Sequence, residues 1–84
     1  MSKPLRVLNT EAVAVLRRKD TEGAIAMFAK LFHKAKVNNL THAELYICHG
    51  NRSAAYLDLG LYEEALWDAC ECQRLAERQF ERSR

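Results

Sequence analysis

Apolar side chains recur along this chain at the three- and four-residue spacing of α-helices, in four separate segments. The strongest periodic pattern is in the second segment, whose shared face is formed by Ala24, Ile25, Phe28, Leu31, Phe32 and Ala35. The first segment runs from Pro4 to about Arg18, the third from about His42 to Leu59, and the fourth from Leu61 or Tyr62 almost to the end. The inner side of the third helix is expected to carry Leu45, Cys48, Arg52, Ala55, Tyr56 and Leu59, and the packed face of the fourth Tyr62, Ala65, Leu66 and Ala69. The pattern therefore predicts an all-α fold of four helices.

Polar residues and a glycine mark the breaks between these segments. Asp20, or the threonine after it, is expected to cap the second helix, and a polar linker at about 37–40 separates it from the third. Thr41 and Glu44 have the spacing of a capping box, which sets the start of the third helix. Gly60 can adopt the left-handed backbone that ends a helix, so we expect the last two helices to form a hairpin.

The junction between the third and fourth helices carries the residues of a known family. It has the order NRSxAY over residues 51–56 and LGxYxxAL over residues 59–66. This stretch resembles a tetratricopeptide repeat. Residues 17–28, RRKDTEGAIAMF, look like a degenerate copy in which Ala24 takes the place of Ala65. The two alanines are 41 residues apart, against a family period of about 34, and we assign the extra residues to a longer second helix and the linker.

The resemblance implies two antiparallel helical hairpins of tetratricopeptide-repeat type, packed as a fragment of a right-handed α-solenoid. Residues 1–84 then form a single domain, with repeat one at about 4–36 and the linker at about 37–40. Repeat two covers about 41–84 and ends in an elongated last helix.

Repeats of this family present their ligand-binding side on the concave surface formed by the first helix of each hairpin. The resemblance and the helical projection away from the core place nine residues there: Arg6, Asn9, Val13 and Arg17 on the first helix, and Ile47, Gly50, Asn51, Ala54 and Asp58 on the third. The implied function is a scaffold or adaptor module that binds a peptide or protein partner.

A co-chaperone function is one alternative that the resemblance leaves open. Members of that type hold the C-terminal carboxylates of a partner peptide with a clamp of lysine, arginine and asparagine side chains. Asn51 matches the clamp asparagine of the third helix, but Asn9 stands where the lysine belongs and Val13 where the first asparagine belongs. A clamp in this chain would therefore be degenerate.

A structural fragment of a longer helical array is the other alternative. Such arrays need about three repeats, and this chain has two. Trp67, Leu75 and Phe80 lie outside the face that the fourth helix needs for its own hairpin, so we expect self-association, for example as a homodimer through the last helix.

Composition and charge narrow the functional class. Residues 1–40 hold eight Lys and Arg against three acids, and residues 41–84 hold five against eight. This mild asymmetry lacks the dense basic stripe of nucleic-acid binding proteins, so no nucleic-acid partner is expected. No stretch approaches the about 18 apolar residues of a membrane span, and the N-terminus lacks the apolar run of a signal peptide. We expect a cytoplasmic protein without a membrane partner.

A metal site is the sharpest chemical alternative, built from Cys48, Cys70 and Cys72 with His42 and His49. On one helix, however, Cys70 and Cys72 point about 200° apart and cannot chelate one ion. We therefore expect neither a metal nor another cofactor.

Catalysis has no support in the sequence. The chain has no Gly-rich phosphate loop, no nucleophile motif and no histidine at a recognisable spacing from a carboxylate. We interpret His33, His42 and His49 as ordinary surface or partly buried residues, and we do not expect an enzyme.

Overall fold

The computed structural model describes residues 3–38 and 45–82 of the 84-residue chain. This part consists of four helices: α1 (Leu5–Arg17), α2 (Thr21–Val37), α3 (Leu45–Asp58) and α4 (Tyr62–Arg82). The described residues contain no strand, which confirms the predicted all-α class. The predicted capping box at 41–44 lies outside the described residues. None of the described helices is both long and apolar enough to cross a membrane.

The turn between α1 and α2 and the turn between α3 and α4 have the same backbone geometry. Lys19 in the first turn has φ +70° and Gly60 in the second has φ +75°, both in the left-handed region. The next residue closes each turn, with Asp20 N–H donating to the Val15 carbonyl at 3.3 Å and Leu61 N–H to the Tyr56 carbonyl at 2.9 Å. Both turns are therefore Schellman motifs, as predicted for glycine in the second and not foreseen for lysine in the first.

The start of α2 is capped as the sequence predicts. The Asp20 carboxylate accepts a hydrogen bond from the Gly23 N–H at 3.1 Å, which satisfies one of the backbone donors left open in the first turn of a helix. Asp20 therefore both closes the turn after α1 and begins α2.

The described helices pack in an order that follows the chain. α1 lies against α2, α3 lies against α4, and α3 also contacts both α1 and α2. One apolar cluster joins α1 to α2 through Ala12, Ala24 and Phe28, each without solvent exposure. A second cluster joins α1, α2 and α3 through Leu5, Leu31, Ala35 and Cys48. α3 therefore sits between the first two helices and α4.

Small residues allow α3 and α4 to approach closely. The Ser53 hydroxyl donates to the Ala65 carbonyl at 2.8 Å, and Ala65 is buried as predicted. A Cβ added to Gly50 would stand 3.4 Å from the Cys72 sulfur, so the backbone of α3 lies near that side chain. The face of α4 that carries Ala65 and Cys72 therefore lies against α3.

The covered face of α4 differs from the predicted one. Tyr62, Leu66 and Ala69 were expected beside Ala65, but Tyr62 and Leu66 are 69% and 66% exposed and Ala69 is also exposed. Asp68 is fully buried in their place. The prediction was wrong because it assigned a charged residue to solvent, whereas the partners of Asp68 lie on α3.

The ends of α3 and α4 require two further corrections. Leu59 was placed on the inner side of α3, but the helix ends at Asp58 and Leu59 is 39% exposed in the turn. Leu75 is half-buried, whereas Trp67 and Phe80 are exposed at 58% and 72%. The apolar side chains on the outer surface of α4 are thus Tyr62, Leu66, Trp67 and Phe80.

Candidate functional site

The predicted binding residues of α1 and α3 lie side by side. The Asn51 side-chain amide donates to the Asn9 side-chain oxygen at 3.0 Å, and both asparagines are half-buried. Asn9 is on α1 and Asn51 is on α3, so this bond joins the two predicted faces. Gly50, the ninth predicted residue, is not on this surface, because it faces the Cys72 side chain on α4. We call the surface formed by the other eight predicted residues the α1–α3 face.

The α1 side of this face contains an open depression of about 640 Å³. Its lining consists of Asn9, Thr10, Val13, Ala14, Arg17 and Arg18, which includes three of the predicted residues. Arg6 is exposed one turn earlier on the helix. Arg17 and Arg18 therefore bring positive charge to the depression at the C-terminal end of α1.

The α3 side of the face combines exposed apolar residues with a hydrogen-bonded carboxylate. Ile47 is 39% exposed and Ala54 is exposed, so both can contact a ligand. Asp58 accepts a hydrogen bond from the buried Thr21 hydroxyl at 2.7 Å, which ties the end of α3 to the start of α2. Asp58 thus has a structural contact that its position on the helix did not reveal.

A buried polar cluster lies between α3 and α4, and its members were not predicted as a site. The Asp68 carboxylate accepts two hydrogen bonds from the Arg52 guanidinium, both at 2.7 Å, and one from His49 Nδ1 at 2.8 Å. Asp68 has no solvent exposure and His49 is 8% exposed. We call these three residues the polar cluster.

The charge of Arg52 is stabilised inside this cluster. Burial acts to lower the pKa of Arg52, but the hydrogen bonds and negative charge of Asp68 outweigh it and raise the pKa above its ordinary value. The guanidinium also lies 4.4 Å from the centroid of the Phe32 ring, a cation–π contact. Arg52 and Asp68 therefore form a desolvated ion pair with matched two-point geometry.

His49 is held in one orientation by its neighbours. Its ring centroid lies 4.2 Å from that of Phe32 and 5.8 Å from that of Trp67, which meets it edge-on. A carboxylate only accepts hydrogen bonds, so the proton between His49 and Asp68 is on Nδ1 of the imidazole. His49 was expected to be a surface or partly buried residue and is buried, and sequence spacing gave no sign of its pairing with Asp68.

The sequence contained one signal for this cluster. Asp68 lies three residues after Ala65 and four before Cys72, on the same helical face as these two residues. A charged residue in register with a small, packed face indicates a buried charge, which needs a partner of opposite sign. Arg52, which was predicted on the inner side of α3, is that partner.

A second groove opens beside the polar cluster, between α2, α3 and α4. It has a volume of about 530 Å³ and is lined by Phe32, Ala35, Lys36, Leu45, His49, Glu71, Arg74 and Leu75. On its α4 side, the Arg74 guanidinium bonds the Glu71 carboxylate at 2.6 and 3.3 Å. That hydrogen bond lowers the pKa of Glu71 below its ordinary value. We call this feature the α2–α4 groove.

The described part of the chain contains no arrangement of side chains that supports metal binding. No three His, Cys, Asp or Glu side chains there are grouped so that they could hold an ion. His42, one of the ligands considered from the sequence, lies outside the described residues.

Comparisons with protein-family models, with characterised proteins and with solved structures return no match to this chain.

Proposed function

We propose that this chain is a scaffold or adaptor module that binds a peptide or protein partner on the α1–α3 face. The observation that carries the proposal is the hydrogen bond between Asn51 and Asn9, which joins predicted binding residues of two helices into one surface. A cytoplasmic location is part of the same proposal.

Repetition within the chain supports an architecture of tetratricopeptide-repeat type. Lys19 and Gly60 occupy the same position in two Schellman motifs and are 41 residues apart. Ala24 and Ala65, both buried where one helix packs on the next, have the same separation. The shared turn geometry and the shared buried alanine support the proposal that α1 and α3 are the first helices of two repeats.

The chemistry of the α1–α3 face suits an extended peptide. When two side-chain amides bond to each other once, each retains further hydrogen-bonding capacity, so the Asn9 and Asn51 pair still offers a donor and an acceptor to a peptide backbone. Val13 and Ile47 supply apolar contact on either side. Arg6 and Arg17 add positive charge, which favours a peptide with acidic side chains.

A degenerate carboxylate clamp is less well supported. Asn51 already donates to Asn9, and Val13 is an apolar residue at a position where the clamp needs a polar one. Carboxylates placed there would lose hydration without gaining matched donors. We expect acidic C-terminal peptides of chaperones, the ligands of co-chaperone clamps, to bind weakly or not at all.

Selection from a displayed peptide library tests the proposed function. The wild-type protein is expected to enrich peptides with a shared motif, whose affinity is then measured by calorimetry. Asn51→Ala should weaken binding by about 1–3 kcal/mol, because it removes both its own amide and the group that positions Asn9. Glu63→Ala, at an exposed site on α4, is the matched control and should bind normally. A library that yields no motif, or a motif that binds Asn51→Ala as tightly, would reject the proposal.

Self-association through α4 is a second candidate because one observation favours it. Tyr62, Leu66 and Phe80 are exposed on the same side of the helix, at 69%, 66% and 72%. A stripe of this kind gains by pairing with another copy or with a further repeat. Sedimentation velocity at high micromolar concentration should show a dimer that Phe80→Glu dissociates. A monomer unaffected by Phe80→Glu would rule this candidate out.

A further inference from the structure

The α2–α4 groove shares no lining residue with the α1–α3 face, and its lining combines apolar and charged side chains. Phe32, Leu45 and Leu75 give it an apolar lining, while Lys36 and Arg74 bring positive charge to it. Its volume of about 530 Å³ falls within the range of about 300–1,000 Å³ typical of small-ligand sites. The groove is therefore large enough for one apolar side chain together with the polar groups next to it.

His49 presents a fixed hydrogen-bonding group to this groove. The imidazole is held at Nδ1 by the fully buried Asp68, and the residue is only 8% exposed while it lines the groove. Its other ring nitrogen, Nε2, makes no hydrogen bond to the described residues, and it is open to the groove, because every fully buried side-chain nitrogen or oxygen there has a partner. A ligand in the groove can therefore hydrogen-bond Nε2 in place of water.

The charged side chains around the groove favour a negatively charged group on the ligand. The Glu71 carboxylate is neutralised by Arg74 through two hydrogen bonds. Lys36 is exposed and has no acidic partner in the described part of the chain. A negatively charged group near Lys36 therefore gains attraction that no side chain of the groove already supplies.

We propose that the α2–α4 groove binds one residue of a partner peptide through its apolar side chain and through a carboxylate next to that side chain. The apolar side chain packs on Phe32, Leu45 and Leu75, and the carboxylate pairs with Lys36. His49 Nε2 hydrogen-bonds the backbone of the same residue. The proposal does not depend on binding at the α1–α3 face.

Trp67 provides a built-in reporter for this site. It is the only tryptophan of the chain, and its ring meets the edge of His49 at a centroid distance of 5.8 Å. A ligand that contacts His49 changes the environment of that ring, so the Trp67 indole signal and the His49 imidazole signals should move together. Joint movement of these signals distinguishes the groove from any other site on the chain.

Titration with a matched pair of small probes tests the proposal by NMR. N-acetylphenylalanine carries the apolar side chain and the carboxylate, and N-acetylphenylalanine amide lacks only the charge. We expect saturable shifts at His49 and Trp67 with a dissociation constant on the order of millimolar, as for other fragments of this size. The acid should bind about fivefold more tightly than the amide.

Two lysine variants of α2 separate a built site from general attraction. Lys36→Glu should abolish the preference for the acid, whereas Lys30→Glu, an exposed site on the same helix, should retain it. Circular dichroism checks that both variants keep their helicity. The proposal is overturned if neither probe gives saturable shifts at His49, if Lys36→Glu keeps the preference, or if Lys30→Glu loses it. Asn51→Ala, which tests the α1–α3 face, should leave these titrations unchanged.

Discussion

The α1–α2 pair and the α3–α4 pair share one turn geometry but are held together by different contacts. Apolar side chains join α1 to α2, with Ala12, Ala24 and Phe28 excluded from solvent. Between α3 and α4 the fully buried group is a carboxylate, Asp68, which takes three hydrogen bonds from Arg52 and His49. The same turn geometry therefore joins one helix pair that packs through apolar side chains and another that packs around a buried ion pair.

The difference predicts how each pair responds to substitution. An apolar contact tolerates another apolar side chain of similar volume, because dispersion and burial are largely retained. A buried ion pair does not tolerate loss of one member, because the other is left desolvated without a counter-charge. The α3–α4 pair is therefore the more sensitive to a single chemical change.

Loss of the Asp68 carboxylate should have the largest effect. Asp68→Ala leaves Arg52 and His49 without their acceptor, and we expect a loss of about 3–5 kcal/mol in the free energy of unfolding. Urea unfolding followed by circular dichroism measures it. The double variant Asp68→Leu with Arg52→Met replaces the pair by apolar residues and should recover much of the loss. A single variant as stable as wild type would contradict an ion pair that holds α3 to α4.

Exchange of one apolar side chain for another in the α1–α2 pair should lower the free energy of unfolding much less than Asp68→Ala does. Phe28→Met replaces the ring by a flexible apolar side chain of somewhat smaller volume, so we expect a loss of about 1.5 kcal/mol or less in the free energy of unfolding. The same urea experiment gives the value. If Phe28→Met destabilises the chain as much as Asp68→Ala, the proposed contrast between the two helix pairs does not hold.

Substitutions at the left-handed residues of the two turns, Lys19 and Gly60, should change the stability by smaller amounts and in opposite directions. A non-glycine residue in the left-handed region carries a steric cost, so Lys19→Gly should stabilise the chain by about 0.5–1 kcal/mol after the added freedom of the unfolded glycine is subtracted. Gly60→Ala should destabilise it by a similar amount. Gly60→Asn, which tolerates this region better, should lose less than Gly60→Ala. Equal stability of all these variants would show that φ in the turns does not matter.

The smallest expected effect concerns the Glu71–Arg74 pair on the edge of the α2–α4 groove. Because the pKa of Glu71 is lowered by its hydrogen bond to Arg74, the pair adds stability above the ordinary glutamate pKa. That contribution is lost as the pH falls through the lowered pKa of Glu71. An NMR titration of the Glu71 carboxylate measures the pKa, which should rise towards its ordinary value in Arg74→Gln. No change in that variant would exclude Arg74 as the cause.

Local signals in the sequence were sufficient to predict most of the fold. The four helices follow from apolar periodicity, the α2 cap from Asp20, and the turn after α3 from Gly60, each of which acts within a few residues. The left-handed Lys19 was missed because lysine has no preference for that region. Its conformation goes with the two backbone hydrogen bonds of the turn, from the Lys19 N–H to the Leu16 carbonyl and from the Asp20 N–H to the Val15 carbonyl.

The polar cluster could not be predicted in the same way. Asp68 is 16 residues from Arg52 and 19 from His49, on a different helix, so its burial depends on how α3 packs against α4. Hydropathy also assigns a charged residue to solvent, and this moved the predicted inner face of α4 towards Leu66. The contact between Asn9 and Asn51, by contrast, joins two faces that were each predicted from the family resemblance together with helical spacing.

The central claim, partner binding on the α1–α3 face, is tested most directly by amide shift mapping of ¹⁵N-labelled protein with a peptide selected on the wild type. The account predicts that the largest shifts fall on α1 and α3, around Asn9, Val13, Asn51 and Ala54, and that Asn51→Ala removes them at the same peptide concentration. Shifts confined to α4, or shifts that persist unchanged in Asn51→Ala, would contradict it.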